Sequence, residues 1–153
     1  MARSCGDCIA CCVYLRIDDE KLQKAGMTHC PHLTLPGPIK EDEIYLTGDS
    51  CKGNCSVYSD QPKVCDNYKC AWLLGYGNEE DRPDKSLILF DTAHQIENCL
   101  EAKPLAPDQE DTEKGRAVIN RMSCSFGVPV VVLNFYEKKI KRIVGHGVIP
   151  WLL

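Results

Sequence analysis

The sequence predicts an α+β protein, in which a loop-rich cysteine lobe packs on a small antiparallel sheet with one covering helix. Two observations support this fold class. Nine of the 11 cysteines lie within the first 70 residues, where large apolar side chains are few. From residue 87 onward, short runs of strand-forming residues surround a single stretch with helical periodicity, which is typical of a sheet covered by one helix.

A polar loop over residues 75–84, with two glycines and a proline, divides the chain. It separates a cysteine-rich lobe, residues 1–75, from a small α+β lobe, residues 76–153. The first lobe has too few large apolar residues to fold alone. We therefore expect the two lobes to form one integrated domain.

Capping residues predict the elements of the first lobe. An acidic first turn and a closing glycine predict a short helix over residues 18–26. Pro62 suits the first turn of a second helix, which ends before Gly75. In the second lobe, the apolar runs Leu87–Asp91 and Ile96–Leu105 predict two strands.

The remaining elements follow from periodicity. The segment Asp108–Phe126 has acidic residues first, basic residues later and apolar positions at helical spacing, so it predicts the covering helix. Gly127 is its stop signal. The runs Val128–Tyr136 and Lys139–Val144 flank a charged dipeptide and predict a hairpin that completes the sheet.

Composition excludes several classes of protein. The 153 residues carry a net charge of −4, with 26% charged and 44% apolar residues, which argues against overall disorder. No stripe of Lys and Arg is present, so we expect no nucleic-acid partner. The longest apolar run, Val128–Leu133, is too short to span a membrane. The N-terminal residues lack an apolar segment, so we expect no secretory signal and a cytoplasmic protein.

The main motif is a run of four cysteines, Cys5-x2-Cys8-x2-Cys11-Cys12. Two-residue spacing allows a tight turn to direct two thiolates toward one centre. In a reducing compartment such a cluster more often binds a metal than forms disulfides, and the odd cysteine count also argues against a disulfide framework. One turn does not complete a four-ligand site, so distant ligands are needed. The candidates are Cys30, Cys55, Cys65 and Cys70.

Four ordered pieces of residues 5–70 resemble the CxxCxxCC cysteine-cluster family, which is described as a zinc- or iron-chelating domain. The chain departs from the family pattern at Gln61, where Arg is usual, and at Ile9, where Gly is usual. The resemblance implies metal binding through the matched cysteines, and it implies no reaction. The matching pieces are the opening run, Cys30-Pro31-His32-Leu33, Asn54-Cys55-Ser56-Val57-Tyr58 and Gln61-Pro62-Lys63-Val64-Cys65 followed by Tyr68.

The cysteine layout favours a [4Fe–4S] cluster, with Zn²⁺ as the alternative. Structural zinc sites usually have paired short knuckles, whereas here several cysteines form one run and further ligands come from far along the chain. Cys11 is the alternate to Cys12, and the roles of Cys51 and Cys70 stay open. The predicted ligands are Cys8, Cys12, Cys55 and Cys65, followed by Cys5 and Cys30.

Three functions follow from this centre. The first is an iron–sulfur protein in electron transfer or redox sensing. The second is a structural zinc-binding interaction module without redox activity, with an unidentified protein partner. The third is an enzyme that uses the cluster as a Lewis acid. No catalytic constellation stands out in the sequence, so enzymatic activity stays undecided.

Other notable side chains have simpler interpretations. His29 and His32 flank Cys30 and are expected to be exposed loop residues, with a mixed Cys/His zinc site as the alternative. Trp72 is expected to pack near the metal with Tyr68. The basic residues 138–142 are expected to form a solvated hairpin tip. Two further cysteines, Cys99 and Cys124, are expected to be small buried apolar residues.

Overall fold

A computed structural model describes residues 3–4, 8–20, 22–24, 26, 30–34, 53–56, 65, 67–92, 99–135 and 139–145. The fold is α+β, as the sequence predicts. Among these residues, no helix is long and apolar enough to cross a membrane. In chain order the elements are α1 (Ala10–Tyr14), β1 (Ile17–Asp19), β2 (Leu22–Lys24), β3 (Leu33–Thr34), β4 (Asn54–Cys55), α2 (Pro83–Ser86), β5 (Ile88–Thr92), β6 (Leu100–Pro104), α3 (Glu113–Phe126), β7 (Val130–Leu133) and β8 (Ile140–Val144), with 3₁₀ turns at Glu79–Asp81 and Gln109–Asp111.

The four strands of the central sheet follow the order β5-β6-β7-β8. The outer pairs, β5–β6 and β7–β8, are antiparallel, whereas β6 and β7 are parallel. The prediction of a wholly antiparallel sheet is therefore wrong. The physical reason is α3, which connects β6 to β7. A crossover helix returns the chain to the end of the sheet where the previous strand began, so the next strand runs parallel.

The covering helix α3 is confirmed, although it begins at Glu113 because the residues before it form a 3₁₀ turn. The side chain of Thr112 caps its N-terminus by accepting a hydrogen bond from the Gly115 amide at 2.9 Å. Gly127, with φ of 68°, ends the helix in the left-handed region, as predicted. The helix buries Val118, Ile119 and Met122 against one face of the sheet, where they meet Ile88, Phe90, Leu100, Ala102, Val130 and Val132.

The opposite face of the sheet contacts the cysteine-rich part of the chain. Leu89 of β5 and Leu105, just after β6, share a hydrophobic cluster with Ile9, Val13 and Trp72. Successive residues of a strand point to opposite faces, so Leu89 faces α1 while its neighbours Ile88 and Phe90 face α3. The cysteine region and the sheet therefore share one core.

The predicted helix over residues 18–26 is wrong, because this segment forms the antiparallel hairpin β1–β2. The side chains of Leu22 and Lys24 are both buried, and Gln23 between them is exposed. Burial at every second residue is the period of a strand, not of a helix. The acidic turn before Leu22 therefore marks a hairpin connection instead of a helix start.

The predicted helix from Pro62 to Leu74 is wrong in its second half. Cys65 and Asn67 are helical, but residues 68–70 have no regular structure and residues 71–75 form turns. The Ala71 amide donates a hydrogen bond to the Phe90 carbonyl at 3.0 Å, which fastens this segment to β5. Residues 62–64 lie outside the described part of the chain.

The predicted strands of the second lobe are confirmed within the residues that the structure describes. The first predicted strand is β5, and the second is β6, shorter than predicted. The predicted hairpin is the pair β7–β8. Residues 96–98, predicted as part of the second strand, and the hairpin tip at residues 136–138 lie outside the described part of the chain.

Candidate metal centre

Short elements bring cysteines from distant parts of the sequence together. Cys11 and Cys12 lie on α1, and Cys55 lies on β4. Cys55 pairs with Leu33 of β3, and the Leu33 amide donates to the Cys30 carbonyl at 3.1 Å, so a tight turn places Cys30 beside this pair. The β3–β4 pair therefore joins two cysteines that are 25 positions apart in the sequence.

Cys65 joins the same region through packing. Cys30 is buried in a small hydrophobic cluster with Ile17 and Leu22 of the β1–β2 hairpin. The side chain of Cys65 packs against this cluster, as does Leu33. The hairpin that the sequence did not predict thus forms one wall of the cysteine region.

The pKa of Cys65 depends on the charges of three other cysteines. Burial raises the pKa of the Cys65 thiol, and the negative charges of Cys12, Cys30 and Cys55 raise it further. Charges act on one another over distances longer than those between ligands of one metal ion, so the four thiols share one region of the protein. We call Cys12, Cys30, Cys55 and Cys65 the thiol cluster. All four are among the ligands that the sequence predicts.

Cys12 differs from the other thiols in its pKa. A hydrogen bond from the Cys11 side chain lowers the pKa of Cys12 to about 7, against the effect of burial, and the charge of Lys24 lowers it further. The thiolate is the form that ligates a metal, so Cys12 is the better prepared of the adjacent pair. Cys11 stabilises that thiolate as a hydrogen-bond donor.

A buried cationic side chain that the sequence did not predict lies in the region of the thiol cluster. Lys24 is only 7% exposed, and its ammonium donates a hydrogen bond to the Val13 carbonyl at 3.0 Å. Burial lowers the pKa of Lys24, whereas the thiolates of Cys30, Cys12, Cys11 and Cys65 raise it. The signal that would have found Lys24 is the strand alternation with Leu22, which the helix prediction concealed.

Cys8 differs from Cys12 in its pKa. Burial raises the pKa of Cys8 to about 12, and the charges of Asp84 and Cys70 raise it further. Its side chain packs against the hydrophobic cluster that contains Ile9 and Cys70, and so do the side chains of Cys11 and Cys12. The ligand role of Cys8 stays a prediction, and Cys5 lies outside the described residues.

The other predicted residues have clear neighbours. Trp72 is buried, its indole donates to the Asn78 carbonyl at 2.9 Å, and the Arg3 guanidinium lies 4.7 Å from its ring centre. Cys99 is buried, as predicted, but Cys124 is exposed because it lies on the outer surface of α3. His29 lies outside the described residues, and the His32 carbonyl accepts a hydrogen bond from Ser56.

The basic residues of β8 are engaged by carboxylates. Lys141 donates to Glu110 at 3.1 Å and to Asp111, and Arg142 donates to Asp111 at 2.5 Å. Together with Asp108, these two acidic residues form the one group of three close metal-type donors within the described parts of the chain. Two cations already neutralise much of its charge, so we assign it a structural role in fixing β8.

The donor set of the thiol cluster fits a thiophilic metal. Thiolates are the ligands of iron–sulfur clusters and of structural zinc. Ligands of one tetrahedral zinc ion lie about 3.8 Å apart, given Zn–S bonds of about 2.3 Å. Across the described residues, no three thiol sulfurs lie within 4.8 Å of one another. The irons of a [4Fe–4S] cluster are each held by a separate thiolate, which suits more widely spaced sulfurs.

Comparison with known proteins adds no assignment. The chain matches no family model, and neither the curated proteins nor the solved structures include a significant match.

Proposed function

We propose that this chain binds a [4Fe–4S] cluster through Cys12, Cys30, Cys55 and Cys65 and serves in electron transfer or redox sensing. The observation that carries the proposal is the convergence of four thiols from four separate segments of the sequence. Mutually repelling thiolates are costly to bring together without a cation, and a bound metal centre removes that cost. The same four cysteines lie within the pieces that resemble the CxxCxxCC family, although the chain matches no family model.

The iron–sulfur form is favoured over zinc by the layout of the cysteines, since several form one run and the others come from far along the chain. When bound, the cluster would supply a one-electron redox couple. The residues of this chain would hold it: the α1 turn presents Cys12, and the β3–β4 pair presents Cys55 beside Cys30. Because ligation needs reduced thiols, the proposal includes a reducing, cytoplasmic compartment.

The alternative is a structural zinc module that binds a protein partner without redox activity. Zinc also takes four thiolates, and its binding would supply folding free energy to short elements such as β3 and β4, which contain two residues each. Both forms use the thiol cluster, so a metal analysis separates them.

The deciding experiment is anaerobic purification of the full chain, followed by an absorption spectrum and assays of iron, sulfide and zinc. A cubane cluster predicts a brown protein with about four irons and four sulfides per chain. Zinc predicts a colourless protein with about one zinc per chain. A protein with neither metal would overturn metal binding altogether.

Single serine substitutions test the ligands. We expect Cys65→Ser and Cys30→Ser to lose most of the bound metal, because each removes a thiolate from the thiol cluster. Cys99→Ser is the matched control, since Cys99 is buried beside Val131 and Leu133 instead. Full metal content in both Cys65→Ser and Cys30→Ser would contradict the assignment.

A further inference from the structure

The β1–β2 hairpin directs one face toward the thiol cluster. Leu22 and Lys24 lie two residues apart on β2, so their side chains share a face of the strand, and both are buried. Leu22 packs with Cys30, and Cys65 packs against the same cluster. Lys24 therefore extends from the same face of β2 as Leu22, which packs with Cys30.

A hydrogen bond fixes where the ammonium lies. It donates to the carbonyl of Val13 at 3.0 Å within the protein interior. Val13 follows Cys12 on α1, and its carbonyl belongs to the last turn, where helix carbonyls lack partners within the helix. The ammonium is thus held at the negative end of α1, next to the cysteines that this helix presents.

Among the described residues, a second buried lysine provides a comparison. Lys103 is as buried as Lys24, and its ammonium lies 3.3 Å from Asp91 and 3.7 Å from Glu101. A buried ammonium needs negative charge nearby, because loss of hydration is costly. Burial lowers the pKa of Lys24, and the negative charges of Cys30 and Cys12 oppose that effect.

We propose that Lys24 is a countercharge of the metal–thiolate centre and tunes it, an inference that rests on the proposed function. A centre with four thiolates carries a net negative charge, and one-electron reduction of an iron–sulfur cluster adds another. A fixed cation beside it favours the metal-bound thiolates and, in a cluster, the reduced state. Lys24 is therefore a positioning residue that acts on the metal through its ligands.

The test uses variants that separate charge from packing. Lys24→Met removes the charge and keeps the length of the side chain, and Lys24→Arg keeps the charge. Lys24→Gln removes the charge but keeps an amide donor for the Val13 carbonyl, and it replaces Lys24→Met if that variant does not fold. Lys114→Met is the matched control, since Lys114 is exposed on α3 and its loss changes the net charge equally.

The readout is the midpoint potential of the anaerobically reconstituted full chain, followed by its absorption during reduction with dithionite. We expect Lys24→Met and Lys24→Gln to disfavour the reduced state about tenfold, which equals about 59 mV for one electron. Lys24→Arg and Lys114→Met should keep the wild-type potential. If the wild-type protein holds zinc, the readout is competition with a chelator, and we expect about tenfold weaker binding in the uncharged variants.

The outcomes are distinguishable. Wild-type protein without metal would overturn the proposed function, and with it this inference. Metal-loaded wild type with unchanged potential or affinity in Lys24→Gln would overturn the inference alone and leave Lys24 as a cap of α1. A lower potential or a weaker metal affinity in the uncharged variants, with wild-type values in Lys24→Arg, would support the inference. A purely structural role would not depend on the charge of the side chain.

Discussion

At the scale of single residues, the sequence and the structure predict opposite effects on stability when Gly115 is replaced by alanine. It lies in the first turn of α3, where a Cβ atom would collide with the backbone carbonyl oxygen of Gln109. Helix propensity alone predicts that Gly115→Ala stabilises the protein by about 1 kcal/mol. Because the obstacle is backbone, we expect Gly115→Ala instead to destabilise it by roughly 2 kcal/mol, measured by urea unfolding.

Asn120→Ala is the control for Gly115→Ala, since Asn120 is exposed on the same helix. It should leave the free energy of unfolding unchanged or raise it by a few tenths of a kcal/mol, as propensity predicts. Equal stabilisation by both substitutions would show that the 3₁₀ turn at Gln109 can move away from α3 at little cost.

The thiol cluster also illustrates what single residues reveal in a sequence. Cysteine is conspicuous, so Cys12, Cys30, Cys55 and Cys65 could be identified as candidates without coordinates. Lys24 could not, because a lysine in a polar segment is usually solvated. Its burial depends on the pairing of two strands and on the position of α1, and neither is encoded in the residue type.

At the scale of elements, Asp111 links the 3₁₀ turn before α3 to β8. Hydrogen bonds from Lys141, and then from Arg142, lower the pKa of Asp111. A carboxyl group whose pKa is lower in the folded state contributes stability above its unfolded pKa, and this stability is lost as pH falls through the folded value. We therefore expect acid to weaken the attachment of β8 below about pH 4.

Thermal unfolding of Asp111→Asn tests this link. The variant should have a lower Tm than the wild type at pH 7, and the difference should shrink as the pH falls below about 4, since both proteins then lack the charge. Glu20→Gln serves as the control because Glu20 is exposed in the β1–β2 turn. A constant difference in Tm at all pH values would contradict the role of the ion pairs.

Two elements were predicted wrongly, and the structure shows the physical reason for each error. The segment 18–26 has the end signals of a helix, but it is too short for those signals to outweigh the burial of alternate residues against the cysteines. The sheet was expected to be antiparallel although a helix was expected between β6 and β7. That helix by itself implies a parallel pair, because antiparallel neighbours are joined by short turns.

At the scale of the whole molecule, the central sheet separates two parts with different sources of stability. On one face, α3 buries fully apolar side chains such as Val118, Ile119 and Met122. On the other face, Cys30 and Cys70 are buried together with large apolar side chains such as Val13, Tyr14 and Trp72. Under the proposed function, the second part depends on metal and the first does not.

Native-state hydrogen exchange of the anaerobic protein, before and after metal removal by a chelator, tests this division. We expect backbone amides of α1 and β1–β2 to lose roughly tenfold or more in protection, since their packing depends on the thiol cluster. Amides of α3 and β7 should keep their protection and serve as the internal reference. Equal loss in all elements would mean that the chain unfolds as one cooperative unit without metal.

The sequence by itself determined the fold class, the helix α3 with its Gly127 stop, the strands of the second lobe and the identity of the candidate thiols. These features are local, since they depend on residue chemistry and on periodicity within about 20 positions. Only the tertiary structure decided that β6 and β7 are parallel, that β1–β2 is a hairpin, that Cys8 packs against the cluster containing Cys70 and that the buried ammonium of Lys24 lies on the Val13 carbonyl. Each of these depends on contacts between segments far apart in the chain, where packing and burial outweigh local preference.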